Sequence, residues 1–320
     1  MRFAIITDTH YSVKKDTEDG TLWNKQLLTL SLELGVALRD QLNTLNLDMV
    51  LHCGDLTHDG DIESLIFCAE LFKDLRCPVY FTLGNHDTLI PAAREEIASI
   101  FKLPTNNFSF RHDLPDFSLL FLDTNFAHYP NGREDPLMNW RIASKEYSAV
   151  GPTRSSIIWL DQQLKDLLGT PVIIIAHHPF ITKETYPRIS PRSLSDWRQR
   201  VQPVDTALFP AFSAELRDVI SSHSKTISAI FSGHWHINDF FKWNDIAIIQ
   251  TSSLIEFPFE FRVFELTSDS KLIGKTEKLV IPKLLLDELS LVPEWGNDWL
   301  RGTSVDREIE ISILKDITIG

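Results

Sequence analysis

The chain has 320 residues, 43 % hydrophobic and 23 % charged, and its 31 Lys and Arg against 44 Asp and Glu give a formal charge of −13 at pH 7. That acidity argues against a nucleic-acid polymer as partner, because affinity for a phosphate backbone rests on clustered cations. Apolar runs such as 172–176 fall far short of the roughly 18 residues a membrane span requires, so a soluble protein without a membrane partner is expected. Cys53, Cys68 and Cys77 are odd in number and form no C-x-x-C pair. With no signal-peptide pattern at residues 1–7, the expectation is reduced thiols in a cytoplasmic protein.

Short apolar runs at 3–7, 49–53, 79–83 and 172–176 have the β-branched and aromatic character of strands buried on both faces. Between the first two, Leu27, Leu30, Leu34, Leu38, Leu42 and Leu45 recur every three or four residues, which predicts a helix over 24–45. Further helices are expected at 62–75, 92–101 and 154–168. Past Ser224, runs at 227–232, 240–243, 246–250, 261–266 and 272–280 alternate with turn residues and predict an antiparallel second sheet. The segments 126–152 and 179–210 look like long loops that could wall a site. The division expected is a domain over 1–281 followed by a C-terminal extension, 282–320, with no clear elements.

Polar residues with ligand chemistry follow these strands. Asp8-Thr9-His10 comes after the first, Gly54-Asp55 after the second and Gly84-Asn85-His86-Asp87 after the third. His177-His178-Pro179 comes after 172–176, and Gly233-His234-Trp235-His236 after 227–232. In open α/β sheets ligands bind beyond the carboxyl ends of the strands, where all five groups fall. Singly, each could be a cap or a turn. Together they offer imidazoles, carboxylates and one amide without a thiolate, a set that suits Mn, Fe, Zn or Co. Seven such side chains exceed one ion's needs, whereas two ions sharing a carboxylate would use them all. Gly54, Gly84 and Gly233 would let the backbone come close.

These blocks, D-x-H, G-D, G-N-H-D, H and G-H-x-H in that order, resemble the calcineurin-like metallophosphoesterase superfamily over about three quarters of the chain. The H-H-P block resembles the branch of bacterial cyclic-nucleotide and glycerophosphodiester phosphodiesterases. The resemblance implies an α/β (α+β) fold, a four-layer αββα sandwich of two mixed β-sheets flanked by helices. It also implies that Asp8, His10 and His236 hold one metal, Asn85, His177 and His234 the other, and that Asp55 bridges them. His86 would contact the phosphate and assist the leaving oxygen.

The expected function is hydrolysis of a small soluble phosphodiester, such as a cyclic nucleotide, nucleotide conjugate or glycerophosphodiester, by in-line attack of a hydroxide bridging the two metals. A phosphomonoesterase or protein phosphatase would use the same core, and a non-catalytic scaffold would be expected to lose ligands. With Asp8 and Asp55 the only ligand carboxylates, the local charge is expected to be positive. Substrate contacts are expected from Asn85, His86 and His178, and from Arg188 and Arg192 in the Pro-rich loop. Asp87 could either orient an imidazole or cap the next segment, and His58 suits an exposed loop. Strand edges around Phe257, Phe259 and Phe261 leave a homo-oligomer possible.

Overall fold

The computed structural model describes residues 1–14, 28–90, 92–103, 108–137, 147–180, 214–283 and 300–313. In chain order the strands are β1 (Arg2–Ile6), β2 (Met49–His52), β3 (Val79–Phe81), β4 (Phe110–Asp113), β5 (Ser118–Leu122), β6 (Phe126–His128), β7 (Glu134–Pro136) and β8 (Ala149–Gly151). They continue with β9 (Val172–Ala176), β10 (Ile227–Ser232), β11 (Asp239–Trp243), β12 (Ile246–Gln250), β13 (Glu260–Leu266), β14 (Lys271–Lys278) and β15 (Glu308–Ser312). The helices are α1 (Ser31–Leu42), α2 (Ile62–Lys73), α3 (Ala93–Ile100), α4 (Arg154–Asp166), α5 (Ala214–Ser222) and the single turn α6 (Ser304–Arg307).

The strands form two six-stranded mixed sheets, ordered β15-β14-β13-β1-β2-β3 and β11-β12-β10-β9-β5-β4. Alternation along the central strands sets the layers, since successive side chains point to opposite faces. Phe3 and Ile5 of β1 meet Ile173 and Ile175 of β9 between the sheets. Ala4 and Ile6 instead pack under Leu34, Leu38 and Leu42 of α1. On the far side, Val172 and Ile174 lie under Ile157, Leu160 and Leu164 of α4 and Leu216 and Ile220 of α5. The result is the four-layer helix–sheet–sheet–helix sandwich expected. Among the described residues, no helix is long and apolar enough to cross a membrane.

Several sequence expectations need correction. The strands past Ser224 do not make one antiparallel sheet. β10 runs parallel to both β9 and β12 in one sheet, while β13 and β14 join β1 in the other. The segment 126–152 is partly built, since β6, β7 and β8 form a small sheet of their own. The sequence reading assigned neither β4 nor β5, although β5 is an apolar run, Ser-Leu-Leu-Phe-Leu, buried throughout. Helix α1 starts at Ser31 after a 3-10 turn at Leu28–Leu30, and residues 24–27 lie outside the described residues. The Pro-rich segment from 181 onward, with Arg188 and Arg192, also lies outside them. Phe259 and Phe261 are buried against this subunit's own core.

Part of the C-terminal stretch is integral to the first sheet. β15 pairs with β14, and Arg307 grips Glu260 with both terminal nitrogens at 2.6 and 2.8 Å. Arg262, fully buried in β13, donates to the Gln250 carbonyl of the opposite sheet at 2.7 Å and to the Asp306 carbonyl at 2.6 Å. One guanidinium thus pins both sheets and the tail.

His52, buried at the end of β2, ties two strand-end loops together. Its Nδ1 accepts the Gly54 N–H at 3.1 Å, so its proton sits on Nε2, 3.0 Å from Thr9 Oγ1. Burial is the main force lowering its pKa from 6.5 to about 3. The folded state therefore refuses a proton that the unfolded chain takes up below pH 6.5, and stability falls as pH drops from there. In metal-free protein, His52→Gln should flatten the acid slope of urea-unfolding stability between pH 6.5 and 5 by about 1 kcal/mol per pH unit. Equal slopes in the two proteins would refute this.

Candidate metal centre

The residues singled out after the strands come together beyond the carboxyl ends of β1, β2, β3, β9 and β10. Two donor clusters share one atom. In the first, His236 Nε2 lies 3.1 Å from Asp8 Oδ1 and 3.3 Å from His10 Nε2, which is 3.5 Å from Asp55 Oδ2. In the second, Asn85 Oδ1 lies 3.1 Å from His177 Nε2 and 3.0 Å from His234 Nδ1, and those two nitrogens are 3.2 Å apart. His177 Nε2 is also 3.5 Å from Asp55 Oδ2. Donors placed ~2.1 Å from a common ion stand roughly 3 to 3.5 Å from one another, which is the spacing of all these pairs; His10 Nε2 and Asp8 Oδ1 stand wider, at 3.9 Å.

The hydrogen bonds leave one donor atom per residue directed inward. Asp8 Oδ2 takes the Thr7 hydroxyl at 2.6 Å and the His234 N–H at 3.0 Å, leaving Oδ1 on the cluster. Asp55 Oδ1 takes the His86 N–H at 2.8 Å, leaving Oδ2 between the two sets. His177 Nδ1 faces the Cys53 carbonyl at 2.9 Å and must carry the proton, so Nε2 offers a lone pair. Burial pulls the His177 pKa down, which keeps the ring neutral. Its Nε2 then stands 3.1 Å from Asn85 Oδ1 as acceptor facing acceptor, an approach that a cation relieves. The donor set and its spacing fit two transition-metal ions.

Charge at the first cluster is tuned in opposite directions. Burial would raise Asp8, but the charge and hydrogen bond of His236 hold it well below the ordinary carboxylate range. Burial first, then the charges of Asp8 and Asp87, push Asp55 far up. Burial opposes protonation of His236, yet Glu256 and Asp8 raise its pKa to about 10. An arriving cation would displace that proton.

The backbone is strained here. Asp8, His10, Asp55, His234 and His236 all have left-handed φ, at 51°, 44°, 55°, 69° and 56°. A Cβ on Gly84 would land on the Asp55 carboxylate and backbone nitrogen, and one on Gly233 would strike Thr7 Oγ1 and Asp8 Oδ2. The approach of these loops requires glycine.

Other residues depart from their sequence readings. His58 is buried, not exposed, with Nδ1 3.3 Å from His10 Nδ1 and its carbonyl accepting from His86 Nδ1 at 2.7 Å. Asp87 neither caps a helix nor touches an imidazole. Its carboxylate accepts the N–H groups of Leu56, Thr57 and Gly84, fastening the loop after β2 to the loop after β3. His178, also buried, holds Thr124 Oγ1 with Nδ1 at 2.8 Å beside His234. The sequence reading missed Glu256, whose carboxylate contacts His236 Nδ1. Its signal was an acid inside the apolar stretch Leu254-Ile255-Glu256-Phe257.

The model for calcineurin-like phosphoesterases matches residues 1–238. No curated protein matches the chain. Among solved structures, a dimetal phosphatase from Danio rerio is similar in fold at a TM-score of 0.64 and 18 % identity, covering 87 % of this chain and 96 % of that one. The purple acid phosphatase PPD1 from yellow lupin seeds matches at 0.50 and 14 %, covering 87 % and 51 %. An archaeal phosphodiesterase gives 0.40 and 12 %, covering 87 % and 100 %. The ordered ligand blocks, their convergence on two donor clusters and the match over most of the chain make this protein a member of the calcineurin-like phosphoesterase family, a metal-dependent phosphoric ester hydrolase.

Proposed function

We propose that the chain hydrolyses a small soluble phosphodiester at a dinuclear centre. Asp8, His10 and His236 would hold one ion and Asn85, His177 and His234 the other, with the Asp55 carboxylate shared between them. The observation that carries this reading is the equal 3.5 Å separation of Asp55 Oδ2 from His10 Nε2 and from His177 Nε2. Bound ions of this class supply Lewis acidity, polarising a phosphoryl oxygen and acidifying water.

The chain's own residues do the positioning. Asn85, carrying an amide where another carboxylate could stand, adds no negative charge to the second cluster. His86 is locked by its Nδ1–H on the His58 carbonyl, so Nε2 is the atom that serves the leaving oxygen. His178, with Nδ1 on Thr124, presents Nε2–H as a hydrogen-bond donor to the substrate rather than as a ligand.

Diester preference follows from the charge. The expectation of a positive centre counted Asp8 and Asp55 alone, but Asp87 and Glu256 are buried beside them. With all four ionised, these carboxylates would match the formal charge of two divalent ions. A centre so neutralised suits a monoanionic diester better than a dianionic monoester.

Three outcomes follow. Manganese-loaded protein should turn over bis-p-nitrophenyl phosphate in preference to p-nitrophenyl phosphate; the reverse order would make it a phosphomonoesterase. His86→Ala should cost about 10²- to 10⁴-fold in kcat while still binding both ions, whereas Asn85→Ala should lose turnover together with the second ion. Gly84→Ala should displace Asp55 and lower bound manganese, measured by atomic absorption after desalting, with two retained ions as the contrary result.

A further inference from the structure

The two clusters differ in what stands behind their histidines. His177 leans on a main-chain carbonyl, that of Cys53. His236 leans on a carboxylate, because Glu256 Oε1 contacts its Nδ1 while Nε2 lies 3.1 Å from Asp8 Oδ1. Glu256 is 1 % exposed and sits on a loop that is fixed from several sides. Leu254, Ile255 and Phe259 are buried beneath α1, the Phe259 N–H closes on the Glu256 carbonyl at 2.8 Å, and the Ser253 hydroxyl holds the Asp8 carbonyl at 2.8 Å. The same short loop therefore grips one residue of the first cluster by its backbone and another by its ring.

We propose that Glu256 is a positioning residue for the first ion. It keeps the His236 proton on Nδ1 and the Nε2 lone pair on the cluster, and its charge strengthens the ring as a donor, so the Asp8–His10–His236 site binds its ion more tightly than the site whose His177 is backed by a carbonyl. This rests on the dinuclear reading above. A carboxylate behind a ligating imidazole is conventionally worth ~10- to 100-fold in metal affinity, and here it serves one site of the two.

The test is titration of chelator-stripped full-length protein with manganese, followed by calorimetry and by the electron paramagnetic resonance signal of unbound ion. Wild type should show two ions in a tighter and a weaker class. Glu256→Gln, nearly isosteric and still able to accept from Nδ1–H, should weaken the tighter class ~10-fold or more and leave the weaker class alone. Its diesterase activity should return as manganese is raised, which a merely structural defect would not allow. Glu256→Asp, which keeps the charge but shortens the reach, should weaken the same class and supplies the reading if the Gln variant does not fold. An unchanged tighter class in the variants, or equal weakening of both classes, overturns the assignment to Glu256. A wild type that binds a single ion overturns the dinuclear reading itself.

Discussion

One oxygen atom organises this molecule. Asp55 Oδ2 can face two donor sets only if the loops after β1, β2, β3, β9 and β10 are drawn inward, and the backbone shows the strain. Five residues of the two clusters are left-handed without being glycine, at a cost of about 1–2 kcal/mol each. The surrounding hydrogen bonds hold that geometry. Asp87 gathers three backbone N–H groups from two loops, His52 links Gly54 to Thr9, and the Thr7 hydroxyl and His234 N–H saturate one oxygen of Asp8. The loops are held by polar groups that are themselves buried: Asp87 and His52, which lie outside the two clusters, and the outward-facing atoms of Asp8, Asp55 and His177.

Burial and charge then decide what the site can hold. Asp55 and Asp87 are both pushed upward by desolvation, while Asp8 is held down by its histidine. Carboxylates packed this closely, with imidazole nitrogens and an amide oxygen facing one another, fit together through cations. The same density of negative charge tempers the pull on an anionic substrate. That balance, and not the −13 of the whole chain, bears on the choice between a singly and a doubly charged phosphate.

Much of this was legible in the sequence because it is local. The bounds 172–176, 227–232 and 246–250 coincide with β9, β10 and β12, and Asn244 and Asp245, both left-handed, make the tight turn read between β11 and β12. The five ligand blocks announce themselves by residue type at strand ends. Most of what escaped was non-local. Nothing in the local pattern of 227–280 says that its strands divide between two sheets. β4, Phe-Arg-His-Asp, is an edge strand with too few apolar residues to register. β15, Glu-Ile-Glu-Ile-Ser, does alternate polar and apolar residues with the period of a half-buried strand, a local signal that the sequence reading missed. His58, Asp87 and Glu256 act through contacts across 20 to 48 residues, which no spacing rule reaches.

The central claim is that one carboxylate oxygen joins two ions. Its most direct test is a crystal structure of manganese-loaded protein with anomalous diffraction recorded above the manganese edge. Two anomalous peaks about 3.5–4 Å apart, flanking Asp55 Oδ2, are the predicted result. A single peak within the Asp8–His10–His236 cluster, or two peaks with Asp55 bound to only one of them, would contradict it.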